Sequence, residues 1–285
     1  MKISGGRPSI FQSCFLIAAF LVAIASLRSA MVTTIAVPSE EMKKEVPTTL
    51  ILPDAYQKEA DKKGEDRRFP VLYLLHGYGG NNESWVTNTT IKELAEEYGV
   101  IVVCPDGGFS SWYVDSPEDP AWRYEAFVSK ELIADIDSRY RTFPRRESRA
   151  IAGFSMGGHG ALYLAFRHPE LYGTAVSLSG GVDLRPFPEQ WDIAKRLGSL
   201  QDHPKRWKEN SVITLAEKVT PGQQAISIDC GVDDFFIGVN RNLHALLLDR
   251  HVPHDYTERS GNHSWNYWAN AIKYQMLFIS EHLAR

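Results

Sequence analysis

Gly153-Phe154-Ser155-Met156-Gly157-Gly158 stands between a short apolar run, Ser148–Ala152, and a helical pattern, His159–Phe166. A chain that leaves a strand and enters a helix within so few residues must turn sharply, and only small residues fit two positions before and two after its centre. Gly153 and Gly157 meet that requirement, while Gly158, Gly160 and Ala161 let the helix approach the sheet. The turn lifts the Ser155 hydroxyl out at the end of a strand.

Working outward, the same kind of apolar run recurs at Phe69–Leu75, Val100–Cys104, Arg149–Gly153, Thr174–Leu178 and Ala225–Cys230. Such runs, apolar at successive positions, mark strands covered on both faces. Between them lie helical periodicities, for example Ile91, Leu94, Ala95 and Tyr98, or Tyr124, Phe127, Val128, Leu132 and Ile136. The alternation predicts an α/β fold, a mostly parallel central sheet with helices on both faces. Val32–Val37 and Thr48–Leu52 read as edge strands, Pro53–Arg68 as a flexible charged connection, and Ser264–Leu283 as a final helix packed on the sheet. Residues 181–224, broken by Pro186, Pro188, Pro204 and Pro221, read as a small lid insertion within one catalytic domain, 26–285.

In a parallel sheet the chemistry belongs at the carboxyl ends of the strands. A serine hydroxyl there needs a base to remove its proton and an acid to orient that base. After the run ending at Cys230 comes Gly231-Val232-Asp233-Asp234-Phe235-Phe236, and before the last helix Ser260-Gly261-Asn262-His263-Ser264-Trp265. Asp234 and His263 fit acid and base; Asp233 and Asp229 remain competing acids, and His254 a competing base. Charge developing on a carbonyl oxygen needs backbone donors. Candidates are the N–H groups of Met156 and of Tyr78, the latter within His76-Gly77-Tyr78-Gly79-Gly80. The strand-end loops also carry aromatic residues, of which Trp112, Tyr113, Trp265 and Phe235 are the candidate substrate contacts, with Trp85 and Phe236 beside them.

Composition narrows the partners. The 285 residues are 44% hydrophobic and 23% charged, with a formal net charge of −4, which gives no basic excess for nucleic acid. No metal-binding spacing is present and no cofactor is implied. Lys2 and Arg7, the uncharged run Phe15–Leu27 and Ala23-Ile24-Ala25 read as a signal peptide over residues 1–25,. Its removal would take away two positive charges and no acid, moving the net charge from −4 to −6. A secreted or periplasmic protein, with no membrane span left after cleavage, is expected. Cys14 would leave with the signal, and Cys104 and Cys230 read as buried, unpaired thiols.

With Leu74-Leu75-His76-Gly77-Tyr78-Gly79-Gly80, the Ser155 turn, Cys230-Gly231-Val232-Asp233-Asp234 and Gly261-Asn262-His263-Ser264-Trp265 in that order, the chain resembles the esterase D-like esterases. Ser177-Leu178-Ser179-Gly180-Gly181 and Ser111-Trp112-Tyr113 add to the likeness, which spans Val32 to the C-terminus. The resemblance implies an α/β-hydrolase fold, a Ser155, Asp234, His263 triad, Tyr78 and Met156 as oxyanion donors, and cleavage of short-chain acyl or plant-wall acetyl and feruloyl esters. The substrate would be a small-molecule or carbohydrate ester. His76-Gly77-Tyr78 and the apparent export signal depart from the S-formylglutathione hydrolase branch and favour the tributyrin, feruloyl and acetyl-xylan branch. An antigen 85-type acyltransferase, an S-formylglutathione hydrolase-like thioesterase, and an inactive hydrolase scaffold used for carbohydrate binding stay open as alternatives.

Overall fold

The computed structural model describes residues 29–60 and 67–285; the expected signal segment lies outside them. Among the described residues eight strands form one sheet: β1 (Met31–Ser39), β2 (Lys44–Leu52), β3 (Val71–Leu75), β4 (Ile101–Pro105), β5 (Arg149–Phe154), β6 (Thr174–Leu178), β7 (Ala225–Gly231) and β8 (Asp255–Arg259), in spatial order β1-β2-β4-β3-β5-β6-β7-β8. β2 runs antiparallel to β1 and β4, and the remaining neighbours are parallel.

The apolar runs are explained by burial on both faces. In β3, Val71, Tyr73 and Leu75 enter one core cluster, and Leu72 and Leu74 enter the other. The first cluster takes in Leu162 of the helix Met156–Arg167, Leu132 and Ile136 before β5, and Leu243 and Leu247 of the helix Ile237–Asp249. The second takes in Ile91 and Leu94 of the helix Ile91–Tyr98, and Trp268, Ile272 and Met276 of the helix Trp265–His282. Helices therefore cover both faces. Cys104 and Cys230 are buried and unpaired, and burial pushes both thiols up.

The topology creates a crevice. From β3 the chain crosses to β4 on one side, then returns to place β5 on the other side of β3. Loops leaving the carboxyl ends of β3 and β5 thus diverge from adjacent positions, the switch point where open α/β sheets receive ligands. Leu75 pairs with Gly153 at that edge.

Two expectations need correction. β1 and β2 are longer than the runs read as edge strands, because pairing from Met31–Leu52 to Ser39–Lys44 extends the ladder into exposed residues. The connection after Pro53 is not wholly irregular: Asp54–Ala60 is a helix, anchored by Tyr56, whose ring packs on Phe69 and Tyr140. Residues 181–224 hold three short helices, Ile193–Leu197, Pro204–Glu209 and Val212–Ala216. Trp207, Val212 and Ala216 join the first core cluster, so these helices share the core of the sheet.

A buried polar knot joins the helical stretch after β4 to the helix Met156–Arg167. The Glu125 carboxylate accepts from Tyr163 (2.7 Å), Arg167 Nε (2.8 Å) and His168 Nε2 (2.9 Å). Burial opposes its ionisation, but hydrogen bonds from His168, Tyr163 and Arg167 outweigh that and hold it at about 2. A carboxyl held below its unfolded value contributes stability that is complete above the ordinary glutamate range and is lost as pH falls toward 2. Glu125→Gln is expected to cost roughly 3 kcal/mol at pH 7 and to flatten the acid limb of the stability profile. Urea denaturation across pH 7 to 3 checks this; an unchanged acid limb would contradict it.

Candidate active site

Ser155 occupies the corner between β5 and the helix Met156–Arg167 with φ +57° and ψ −120°. A non-glycine residue in that region stores roughly 1–3 kcal/mol of strain and persists only where its surroundings over-determine it. Here they do. Ser155 N–H donates to Leu178 O (2.9 Å), and Ser155 O accepts from His159 N–H (3.0 Å). A Cβ on Gly153 would stand 2.9 Å from Gly157 Cα, and one on Gly157 2.6 Å from His76 O, so both positions require glycine.

His263 arrives from the opposite end of the chain. His263 Nε2 lies 2.9 Å from Ser155 Oγ, and Nδ1 lies 2.8 and 3.0 Å from the two Asp234 carboxylate oxygens. Because a carboxylate only accepts, Nδ1 carries the proton and Nε2 is left free to receive one from the serine. Asp234 is buried, and its Oδ1 also accepts from Phe236 N–H at 2.8 Å. The loops bearing Asp234 and His263 are stitched together by Val232 N–H to Arg259 O and Asp233 N–H to Gly261 O, both 2.9 Å. Rings of Phe235, Phe236 and Trp268 pack around the imidazole at 4.1, 5.4 and 4.8 Å.

The competing residues lie elsewhere. Asp233 is exposed, beside the pair. Asp229 is buried beneath it and occupied by Tyr267 (2.5 Å), Arg259 (2.6 Å) and Gln275 (2.9 Å). His254 binds His244 and Val252 O.

The segment after β3 closes the other side. Gly77 passes so close to Ser155 that an added Cβ would lie 3.1 Å from Ser155 Cβ. His76 is buried and accepts at Nε2 from Gly107 N–H (2.7 Å), which puts its proton on Nδ1, facing Gly77 O at 2.7 Å. Tyr113 Oη donates to His76 O (3.0 Å), and Gly79 N–H to Phe109 O (2.8 Å). Tyr78 follows Gly77, and Met156 opens a 12-residue helix whose first amides have no intrahelical acceptor,. The helix dipole also favours negative charge at that end.

Of the four aromatic residues expected to meet substrate, two do not line an open surface. Trp112 is 2% and Tyr113 0% exposed. Their φ values of +52° and +57° turn both rings inward. Trp112 Nε1 donates to Trp191 O (3.1 Å), while Tyr113 fills the space left by Gly107 and Gly160. They support the site from within the core. Trp265 is half-buried against Phe154 and Trp85, and Phe235 is 52% exposed beside His263. Sequence reasoning missed Phe109, exposed and packed on Tyr78 at 4.7 Å, and Trp191, stacked on Phe235 at 5.3 Å. Phe109 follows the end of β4, where the strand-end rule points; Trp191 sits inside the insertion, where no periodicity marks it.

If the elbow depends on close backbone approach, a single methyl group should show it. Gly157→Ala is expected to lose about 1–3 kcal/mol or more. Gly238→Ala, with open space around the added Cβ, should gain up to about 1 kcal/mol from helix propensity. Thermal denaturation of the two variants checks the contrast.

A family model described as "Putative esterase" matches residues 39–279. The chain is 30% identical over 253 residues to an acetyl esterase of Caldicellulosiruptor saccharolyticus, covering 83% of this chain and 94% of that one. It is 28% identical over 246 residues to the S-formylglutathione hydrolase of Mus musculus, covering 78% and 83%. A solved ferulic acid esterase superposes with a TM-score of 0.77 at 26% identity, covering 90% of this chain and 99% of that one. The S-formylglutathione hydrolase of Staphylococcus aureus shares the fold, with a TM-score of 0.76 at 21% identity over 88% and 99% of the two chains. The chain belongs to the "Putative esterase" family, and it is an esterase, a hydrolase of carboxylic esters built on the α/β-hydrolase fold.

Proposed function

We propose that Ser155 is the nucleophile of this esterase, His263 its general base and acid, and Asp234 the residue that orients and stabilises the imidazole. The observation that carries the reading is the continuous line from Ser155 Oγ to His263 Nε2 at 2.9 Å and from His263 Nδ1 to Asp234 at 2.8 Å. Ser155 Oγ attacks the ester carbonyl carbon as Nε2 takes its proton. The carbonyl oxygen becomes an oxyanion and draws on the Met156 and Tyr78 N–H groups. The C–O bond to the alcohol then breaks, Nε2 returns the proton to the leaving oxygen, and an acyl-Ser155 remains. Water, deprotonated by His263, attacks the acyl carbon; the bond to Ser155 Oγ then breaks, Nε2 returns the proton to Oγ, and the carboxylic acid leaves. Each oxyanion donor supplies about 3 kcal/mol or more of transition-state stabilisation.

Acetyl and feruloyl-type acyl groups are the substrates this reading favours, on the likeness to the acetyl esterase and ferulic acid esterase relatives. The packing of Trp191 against Phe235 and Phe236 supports residues 181–224 as a cover at the carboxyl edge of the sheet.

Ser155→Ala and His263→Ala should lower kcat for p-nitrophenyl acetate by about 10⁴-fold or more, and Asp234→Asn by about 10⁴-fold, with Asp233→Asn changing it little. Retained turnover in Ser155→Ala would overturn the assignment. A methyl ferulate assay alongside tests the acyl class.

Secretion or periplasmic export with loss of residues 1–25 is part of the same proposal, supported by the Lys2 and Arg7 start and the apolar run that follows. Mass spectrometry of the mature N-terminus is expected to find Ser26; a chain beginning at Met1 or Met31 would contradict it.

A further inference from the structure

The alcohol half of the ester has no assigned place. In the reaction above its oxygen must come within hydrogen-bond distance of His263 Nε2 to receive the proton. Whatever is exposed beside that imidazole therefore borders the alcohol rather than the oxyanion, which is drawn to the opposite loop. Among the described residues three aromatic rings pack on His263, and only one of them is open: Phe236 and Trp268 are 1% and 5% exposed, Phe235 is 52% exposed.

Phe235 does not stand alone. Trp191 lies nearly parallel to it, 5.3 Å between centroids and 20° between planes, and also packs on Phe236 at 5.1 Å and Phe187 at 5.4 Å. Its carbonyl accepts from Trp112 Nε1, which holds the residue from the core side. Trp191 and Asp192 are consecutive non-glycine residues in the left-handed region, φ +49° and +57°. Two adjacent residues of that kind are costly, and such strain persists where packing enforces it. Asp192 in turn faces the Tyr78 phenol, which burial and that carboxylate push up. The corner thus reaches both sides of the nucleophile: Phe235 and His263 on one, Tyr78 on the other.

We propose that Trp191 and Phe235 form the subsite for the alcohol leaving group, and that it takes an alcohol bearing a ring, whose apolar face packs on the exposed Phe235 ring and the half-buried Trp191 stacked on it. Trp191 is the specificity-determining residue contributed by the insertion, holding Phe235 in place and setting the width of the shelf. The proposal rests on the roles given above to Ser155 and His263.

Its test keeps the acyl group constant. Ethyl acetate and cyclohexyl acetate release alcohols of similar basicity and leave the same acetyl-Ser155, so deacylation is common to both and kcat/KM isolates the alcohol. Trp191→Ala and Phe235→Ala should each lower the ratio of kcat/KM for cyclohexyl over ethyl acetate about three- to tenfold, the worth of an aromatic packing contact, and Trp191→Phe should restore part of it. An unchanged ratio in both alanine variants, with Ser155→Ala inactive, overturns the subsite and leaves the triad standing. Equal losses on both esters with a lowered Tm also overturn it, since they mark a role in packing alone. A change confined to Phe235→Ala removes Trp191 from the assignment. Activity surviving in Ser155→Ala would instead strike at the triad itself.

Discussion

Backbone contact at the elbow sets everything else in place. The Gly157 Cα passes so close to the carbonyls of Leu75 and His76 that the end of β3, the start of the helix Met156–Arg167 and the Ser155 corner form one rigid unit. Its consequence is directional: Ser155 is held at φ +57°, and its hydroxyl leaves the helix axis instead of following it. Neither the 2.9 Å approach of His263 nor the position of the helix amides would survive a looser turn. Strain of this size is tolerable because it is local, while the sheet on either side is buried on both faces.

The second requirement is that a residue more than a hundred positions away be brought to that hydroxyl. Sheet register achieves it. Leu178 pairs with Asp229 and Gly231 with Arg259, so the loops after β7 and β8 emerge side by side at the edge where β5 ends. The two loops are then fastened by backbone hydrogen bonds and by Gly261 at φ +139°, where a side chain would strike Tyr267. Geometry on the scale of a hydrogen bond is thus inherited from the core.

This division explains which parts were legible from sequence. Glycines and continuous apolar runs report backbone constraints directly, so the elbow, the central strands and the loops bearing Asp234 and His263 could be located by residue. Orientation of side chains could not. Trp112 and Tyr113 lie in a strand-end loop as expected, yet positive φ turns their rings into the core, a property no period-2 or period-3.6 pattern records. The helix Asp54–Ala60 was hidden for a related reason: its charged sequence looks like a connection, and it is held by partners distant in sequence, Phe69 and Tyr140 packed on Tyr56, Arg141 over the same ring and Glu96 accepting from the Asp54 N–H. Trp191 needed the fold, because its meaning comes from Phe235, more than forty residues away.

The two buried carboxylates near the end of β7 show how environment decides between chemically identical groups. Asp229 faces Arg259 at 2.6 Å and takes further hydrogen bonds from Tyr267 and Gln275, so its charge is compensated at close range and its lone pairs are occupied. The Asp234 carboxylate, five residues on, has the Phe236 amide and the His263 ring as its hydrogen-bond partners among the described residues. Buried charges interact strongly when no counter-ion intervenes. Asp229 and Arg259 together act nearly as a neutral pair at the distance of His263, so Asp234 is the carboxylate turned to that ring. Asp229 serves instead as a clamp, tying β7 and β8 to the helix Trp265–His282 beneath the loop from which His263 projects.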